Sequence, residues 1–268
     1  MTDNPGRLVL LGHPVAHSLS PRFQNAALMA AGIPLTYEAL DVEPTDLDAV
    51  LTQLAAVRGA GNVTIPYKEL VSARCVRRSP VAERCGAVNV FWHEDDGLHG
   101  DNTDVAAVDV VAHALLGTKR PMARVALLGA GGGAAAVLCA AERWGSARVA
   151  VYNRHMPRAR QLAARFASVA TVASSVEEML CGATLVVNAT PIGLRNDEHP
   201  VPVPLLPAGA AVFDLVYRSH ESAWARAARE AGHRATDGEG MLLEQGALAF
   251  ARWFGREPDR DAMWRAMH

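Results

Sequence analysis

The segment VALLGAGGGAAAV, residues 125–137, decides the fold class because it joins a short apolar run to a glycine-rich turn and a small-residue helix. Gly129, Gly131 and Ala134 fit the pattern G-x-G-x-x-A between a strand and a helix. Glycines let the backbone turn tightly beside a pyrophosphate, and the free N–H groups of the following helix favour an anion. We therefore predict a dinucleotide-binding turn. A turn that only packs the helix on the strand is the alternative.

The next predicted strand, RVAVYN at residues 148–153, ends in a basic stretch without an acid. NAD-binding folds tend to place Asp or Glu here to accept hydrogen bonds from the ribose 2′-hydroxyl, whereas a guanidinium pairs with a 2′-phosphate. Asn153, Arg154 and Arg158 therefore predict a site for the phosphate that distinguishes NADP from NAD. A solvated helix start is the alternative, although cations are mildly unfavourable at a helix N-terminus.

Apolar runs of strand length alternate with helical patterns on both sides of this segment. The predicted strands lie at residues 7–12, 35–42, 61–65, 87–92, 124–129, 148–153, 183–190 and 210–217. This alternation predicts an α/β fold with a largely parallel sheet. In the first helix we expect Ser20 at the N-cap, Pro21 at the first helical position and Gly32 at the end.

Composition restricts the class of protein. The 268 residues fit one large or two small domains, and half of them are hydrophobic. A net charge of -2 provides no global field for nucleic acid. The four cysteines lack CxxC or zinc spacing, which predicts reduced thiols in a cytoplasmic protein and no metal site. The N-terminal apolar run is too short for a signal peptide, and we expect no membrane partner.

Polar side chains stand near strand ends in the first half of the chain. Lys68 follows a predicted strand and Asp104 opens a predicted helix. A Lys–Asp pair transfers protons when its members are close and partly desolvated, which spacing alone does not establish. Further polar candidates are Ser18, Ser20, Asn62, Thr64, Asn89 and Gln245. Singly, each has an ordinary structural role as its alternative; together they suit a small polyhydroxy acid.

Several longer motifs occur in a defined order along the chain. They are GHPVAHSLSP at 12–21, GNVTIPYK at 61–68, GAVN at 86–89, GDNTD at 100–104, GAGGGA at 129–134, NR at 153–154, NAT at 188–190 and DGEGMLLEQGA at 237–247. Through them the chain resembles the shikimate dehydrogenase family over nearly its whole length. The resemblance implies reversible, NADPH-dependent reduction of 3-dehydroshikimate to shikimate, on the route to chorismate and the aromatic amino acids.

The resemblance also implies domains, partners and residue roles. Residues 1–104 and 240–268 would form the substrate-binding and catalytic domain, and residues 105–239 a Rossmann-like NADP-binding domain. Lys68 and Asp104 would be the catalytic pair, with Lys68 as the proton donor. Substrate would contact Ser18, Ser20, Thr64, Asn89, Tyr217 and Gln245. The cofactor would contact Gly129, Ala130, Gly131, Gly132, Asn153, Arg154, Arg158, Thr190 and Gly240. We expect a small-molecule substrate and a monomer or homodimer.

Departures from the family pattern leave alternatives open. They are Gln24 in place of His, Val90 in place of Thr, His155 in place of Thr or Ser, and Pro191 in place of Ser. His155 adjoins the predicted phosphate site, so the preference for NADP is expected to be weaker than in the family. The alternatives are a quinate/shikimate dehydrogenase with relaxed or NAD preference, and a catalytically silent nucleotide-binding regulator. The latter would be expected to lack Lys68 or Asp104.

Overall fold

The computed structural model describes residues 4–268, and the chain divides into two compact units. Unit 1 runs to Thr103 and also contains Leu243–His268, whereas unit 2 is Asp104–Leu242. Strands alternate with helices in both, so the predicted α/β fold class is confirmed. Residues 1–3 of the predicted substrate domain lie outside the described residues, and the functional assignment of the two units stays a prediction.

The strands and helices are numbered in chain order. The strands are β1 Leu8–Gly12, β2 Tyr37–Asp41, β3 Ala60–Val63, β4 Arg77–Arg78, β5 Val90–Glu94, β6 Gly97–Asp101, β7 Arg124–Leu128, β8 Arg148–Tyr152, β9 Ala170–Val172, β10 Leu185–Asn188, β11 Ala211–Asp214 and β12 Ala235–Thr236. The α-helices are α1 Ser20–Ala30, α2 Leu47–Ala56, α3 Lys68–Arg74, α4 Pro80–Cys85, α5 Asp104–Leu116, α6 Gly132–Glu142, α7 Met156–Arg165, α8 Val176–Leu180, α9 Ala223–Glu230, α10 Glu239–Phe254 and α11 Arg260–Met267.

Unit 1 contains a mixed sheet in the order β2-β1-β3-β5-β6-β4. The strands β2, β1 and β3 are parallel, while β5 is antiparallel to both of its neighbours. On one face, Val9 and Leu11 of β1 form a buried cluster with Leu51 of α2 and Val71 of α3. Elsewhere in the unit the C-terminal helix α11 packs against α1, and the Gln24 amide donates to the Gly246 carbonyl at 2.9 Å.

Unit 2 contains a fully parallel sheet in the order β12-β11-β10-β7-β8-β9. This is the doubly wound order. Successive strands are added outward on one side of β7 and then, from β10 onward, on its other side, so the order of the strands reverses between the neighbours β7 and β10. Ligands of such sheets bind outside the carboxyl ends of the strands at this reversal. The loops that follow β7, β8, β10 and β11 therefore bound the expected cofactor site.

The start of α1 differs from the sequence prediction. Leu19, not Ser20, is the N-cap, and Ser20 and Pro21 are the first two helical residues. The N-cap itself makes no side-chain hydrogen bond, but the Ser18 hydroxyl, just before it, accepts from the N–H of Ser20 at 3.2 Å and so satisfies one donor of the first helical turn. Gly32 follows the end of the helix with a φ of +65°, as expected of a glycine that terminates a helix.

Other features of the described residues bear on the class of protein. No helix within residues 4–268 has the length and apolarity that a membrane crossing requires. The same residues contain no cluster of three His, Cys, Asp or Glu side chains suited to a metal ion. All four cysteines are free, and three of them are buried.

Candidate active site and cofactor turn

The turn after β7 contains two glycines, and packing requires a glycine at only one of the two positions. Gly129 has a φ of +118°, and a Cβ there would lie 2.6 Å from the Ala189 carbonyl oxygen. Packing alone therefore requires this glycine. Gly131 has a φ of -106° at the N-cap of α6, and a Cβ there would meet nothing within 4 Å. The space outside Gly131 is open, which fits a group that approaches the turn from outside.

A matched pair of alanine substitutions separates these two requirements. Gly129→Ala is expected to destabilise the protein by about 2–4 kcal/mol, because it combines a strained φ with a clash against backbone. Gly131→Ala is expected to cost at most about 1 kcal/mol of stability but to raise the NADP dissociation constant about tenfold or more. Thermal unfolding and titration calorimetry measure the two effects. If Gly131→Ala bound NADP as tightly as the original protein, the turn would serve only to pack the helix on the strand.

The predicted phosphate site lies beside this turn. β7 and β8 pair in parallel, and the Gly129 N–H donates to the Tyr152 carbonyl at 2.9 Å. The chain then passes through half-buried Asn153 and exposed Arg154 into α7, whose first turn holds exposed Arg158 and no acid. The structure thus brings the glycine turn and the basic stretch to one edge of the sheet.

The loop after β10 completes this edge. Thr190 is tied to buried Asn188, whose Oδ1 accepts from the Thr190 N–H at 3.0 Å and from the Thr190 hydroxyl at 2.6 Å. The Asn188 amide donates to Asp214 Oδ1 at 2.8 Å. Thr190 therefore lies next to the glycine turn, since its neighbour Ala189 contacts Gly129. Gly240 is exposed in the first turn of α10.

Sequence reasoning gave no role to Asp214, which the structure buries completely. Burial raises the pKa of the Asp214 carboxyl to about 6, against partial opposition from hydrogen bonding to Ser222, Val216 and Asn188, and the charge of Asp237 raises it further. The only sequence signal was an acid at the end of an apolar strand.

In unit 1, Asn89 and Gln245 come together through Thr103. The Asn89 amide donates to Thr103 Oγ1 at 3.0 Å and to Gln245 Oε1 at 3.3 Å. Asn89 Oδ1 accepts from the Thr103 N–H at 2.7 Å, and the Thr103 hydroxyl donates to the Gln245 carbonyl at 3.0 Å. All three are buried, and Asn89 lies one residue before β5 instead of inside a strand. Thr103 had no role in the sequence prediction because its partners are remote in the chain.

Asn62 has an evident structural role in the same unit. Its Oδ1 accepts from the Tyr37 hydroxyl at 2.7 Å, and its amide donates to the Asn89 carbonyl at 3.1 Å. These bonds satisfy a buried amide and fix the backbone of Asn89.

The remaining candidates of unit 1 stand on two adjacent loops. β1 and β3 are parallel neighbours, and the Thr64 N–H donates to the Leu11 carbonyl at 2.8 Å. Thr64 is half-buried on the loop after β3, and Lys68 is half-buried at the first position of α3. The Lys68 carbonyl accepts from the Val88 N–H at 2.9 Å, which places the start of α3 beside the segment leading to Asn89. Ser18 and Ser20 stand at the start of α1, after β1.

Two of the predicted catalytic and substrate-binding residues belong to unit 2. Asp104 is buried at the first position of α5 and directly follows Thr103 in the chain. Tyr217 is half-buried in the loop after β11. The meeting of Lys68 with Asp104 stays a prediction, as does the role of Tyr217.

Comparison with known proteins gives consistent matches. Residues 10–91 match the model of the shikimate dehydrogenase substrate binding domain, and residues 238–268 match that of the shikimate 5'-dehydrogenase C-terminal domain. The shikimate dehydrogenase (NADP(+)) of Rubrobacter xylanophilus is 43% identical over 96% of this chain and 94% of its own.

Solved structures agree with these matches. The shikimate 5-dehydrogenase of Thermus thermophilus, in complex with NADP(H) and shikimate, has a TM-score of 0.85 and 38% identity over 97% of this chain and 98% of its own. The quinate dehydrogenase of Corynebacterium glutamicum, in complex with NAD, has a TM-score of 0.85 and 29% identity over 97% of each chain. The full-length identity to the Rubrobacter protein decides the matter: this chain belongs to the shikimate dehydrogenase family.

Proposed function

We propose that this protein is an NADP-dependent shikimate dehydrogenase, an oxidoreductase that acts on a CH–OH group. It reversibly reduces 3-dehydroshikimate to shikimate in the shikimate pathway. Family membership supports the reaction. The single structural observation that supports the cofactor is the glycine turn, whose open side at Gly131 lies next to the acid-free stretch carrying Arg154.

The residues of unit 2 fit an NADP molecule. The backbone from Gly129 to Gly132 and the first N–H groups of α6 would hold the pyrophosphate. The side chains of Asn153, Arg154 and Arg158 would hold the 2′-phosphate, since guanidinium groups pair with phosphate through charge and directed hydrogen bonds. Thr190 and Gly240 are assigned to the same cofactor. When bound, the cofactor supplies the hydride, and the protein supplies orientation and charge.

The polar residues of unit 1 fit the substrate. Ser18 and Ser20 offer hydroxyl groups for the carboxylate, and Tyr217 of unit 2 is assigned to the same group. Thr64, Asn89 and Gln245 are assigned to the ring hydroxyls. Thr103 fixes the Asn89 amide, and the Asn89 amide in turn donates to Gln245 Oε1, so both amides are held in place before substrate binds. Preorganised contacts of this kind orient the reacting carbon without further loss of side-chain entropy.

Lys68 is assigned the proton transfer. As the substrate carbonyl becomes a hydroxyl, the Lys68 ammonium stabilises the developing negative charge and donates its proton to the oxygen. Asp104 is assigned to the same oxygen and to the orientation of Lys68. In the reverse direction, neutral Lys68 accepts the proton of the hydroxyl that is oxidised. Burial of Asp104 strengthens these interactions because water screens them less.

Initial rates with four substrate and cofactor pairs test this function. Shikimate and quinate are each assayed with NADP and with NAD at 340 nm. We expect activity largely with shikimate and NADP, because the basic stretch pairs with a 2′-phosphate and would gain nothing from NAD. Dominant activity with quinate and NAD would replace the substrate and cofactor assignments. Inactivity with all four pairs, in a protein that binds NADP, would favour the silent regulator.

Two further assignments concern the compartment and the assembly of the protein. The four free cysteines are consistent with a reducing compartment, and we propose the cytoplasm. A monomer or homodimer, without nucleic-acid or membrane partners, stays a prediction.

A further inference from the structure

Two acids are buried beside the carboxyl ends of β10, β11 and β12 in unit 2. Asp214 is the last residue of β11 and is 0% exposed, and Asp237 follows β12 and is 7% exposed. Asp214 Oδ2 has no partner that meets the full hydrogen-bond geometry among the described residues, although the nearby Ser222 side chain partly stabilises the carboxylate. A buried carboxyl that is only partly satisfied is costly, so its presence requires an explanation beyond packing.

The other oxygen of Asp214 joins two loops. Asp214 Oδ1 accepts from the Asn188 amide at 2.8 Å and from the Val216 N–H at 3.1 Å. Asn188 in turn holds both the N–H and the hydroxyl of Thr190. One oxygen atom therefore connects the loop that carries Thr190 to the loop that carries Tyr217.

Asp237 joins a third loop to the same group. Its Oδ1 accepts from the Glu239 N–H at the start of α10, and its Oδ2 accepts from the Ser222 N–H, both at 3.1 Å. The Gly238 N–H donates to the Val216 carbonyl at 2.9 Å. The first turn of α10, which contains Gly240, is thus tied to the loop after β11.

The acceptor geometry, and not the negative charge, explains Asp214. Burial, reinforced by the charge of Asp237, raises its pKa to about 6, so the fold penalises the ionised carboxyl. Because the carboxyl loses this penalty on unfolding, its contribution to the free energy of unfolding decreases as pH rises from about 4 to above 6. An asparagine keeps an acceptor oxygen for Asn188 and Val216 without a buried charge. An alanine leaves both donors unpaired.

We propose that Asp214 is a positioning residue that holds the loops of Thr190 and Tyr217 in the arrangement that binds the cofactor. This inference rests on the proposed function, because it takes Thr190 as a cofactor contact. Asp214 itself acts through Asn188 and the Val216 backbone and touches no ligand.

The test compares Asp214→Ala with Asp214→Asn and with the control Leu180→Ala. Leu180 lies in the buried cluster of unit 2 on α8, so its truncation lowers stability without removing any of the hydrogen bonds that Asp214 makes. Binding of NADP to each purified protein is measured by calorimetry, together with kcat at saturating NADP and thermal unfolding. We expect Asp214→Ala to raise the NADP dissociation constant about tenfold or more, with kcat changed less, because the loop contacts are misplaced.

The controls carry distinct expectations. Asp214→Asn is expected to bind NADP within about twofold of the original protein, and Leu180→Ala is expected to bind normally despite lower stability. If Asp214→Ala does not fold, Asp214→Ser replaces it, because a hydroxyl can satisfy one of the two donors; we then expect a smaller rise in the dissociation constant.

Three results would overturn the inference. Normal NADP binding by Asp214→Ala, or by Asp214→Ser in its place, would show that the loops need no such anchor. Equal loss of binding in Leu180→Ala would attribute the effect to stability alone. Failure of the original protein to bind NADP at all would overturn the proposed function, and the inference with it.

Discussion

Replacing Lys68 with alanine is expected to lower kcat for shikimate with NADP by about 10²–10⁴-fold, the usual contribution of a positioned general acid or base. The dissociation constant for NADP is expected to stay within about twofold, because Lys68 is assigned to the substrate oxygen and not to the cofactor. Initial rates and calorimetry on the same protein measure both quantities.

The fold should tolerate this change. Lys68 occupies the first position of α3, where alanine is a good helix former and a cation is unfavourable. The neighbouring exposed residue Glu69 supplies the control, since Glu69→Ala changes the same helical turn without removing the proposed proton donor. Near-normal turnover in Lys68→Ala, with Glu69→Ala also active, would contradict the mechanism.

A double variant tests whether Lys68 and Asp104 act together, which stays a prediction. If both act in one step, the double variant Lys68→Ala/Asp104→Asn loses little more activity than the slower single variant. Simple multiplication of the two losses would mean that the residues act independently.

Replacing Arg154 with alanine is expected to raise the KM for NADP by about 10–100-fold, since a hydrogen bond to a charged group contributes about 1.5–3 kcal/mol. The KM for NAD should change little, because NAD has no 2′-phosphate. The double variant Arg154→Ala/Arg158→Ala is expected to lose more of the preference for NADP. The ratio of kcat/KM for the two cofactors measures the effect.

Arg160 provides the matched control for this pair. It is exposed on the same helix, α7, and has no assigned contact, so Arg160→Ala should leave the cofactor ratio unchanged. Equal loss of NADP and NAD activity in Arg154→Ala would make Arg154 a structural residue.

Sequence patterns of short range predicted much of the architecture. The runs that became β1, β7, β8, β10 and β11 are apolar except at their ends because both faces of these strands are covered. The strand β6 was missed, since GLHGD is short and contains two glycines. Its pairing with β5 depends on tertiary context more than on intrinsic preference.

The candidate site also has features that the sequence predicted and features that it did not. The amino-acid sequence by itself determined the α/β class, the glycine turn, the basic stretch and the family, because these are encoded by residues adjacent in the chain. Only the tertiary structure decided that packing requires Gly129 but not Gly131, and that Thr103 joins Asn89 to Gln245, 156 residues apart from each other. It also decided that Asp214 supports the loop of Thr190. The physical reason is that hydrogen bonds and close contacts between remote segments depend on how strands are ordered in a sheet, and local patterns do not specify that order.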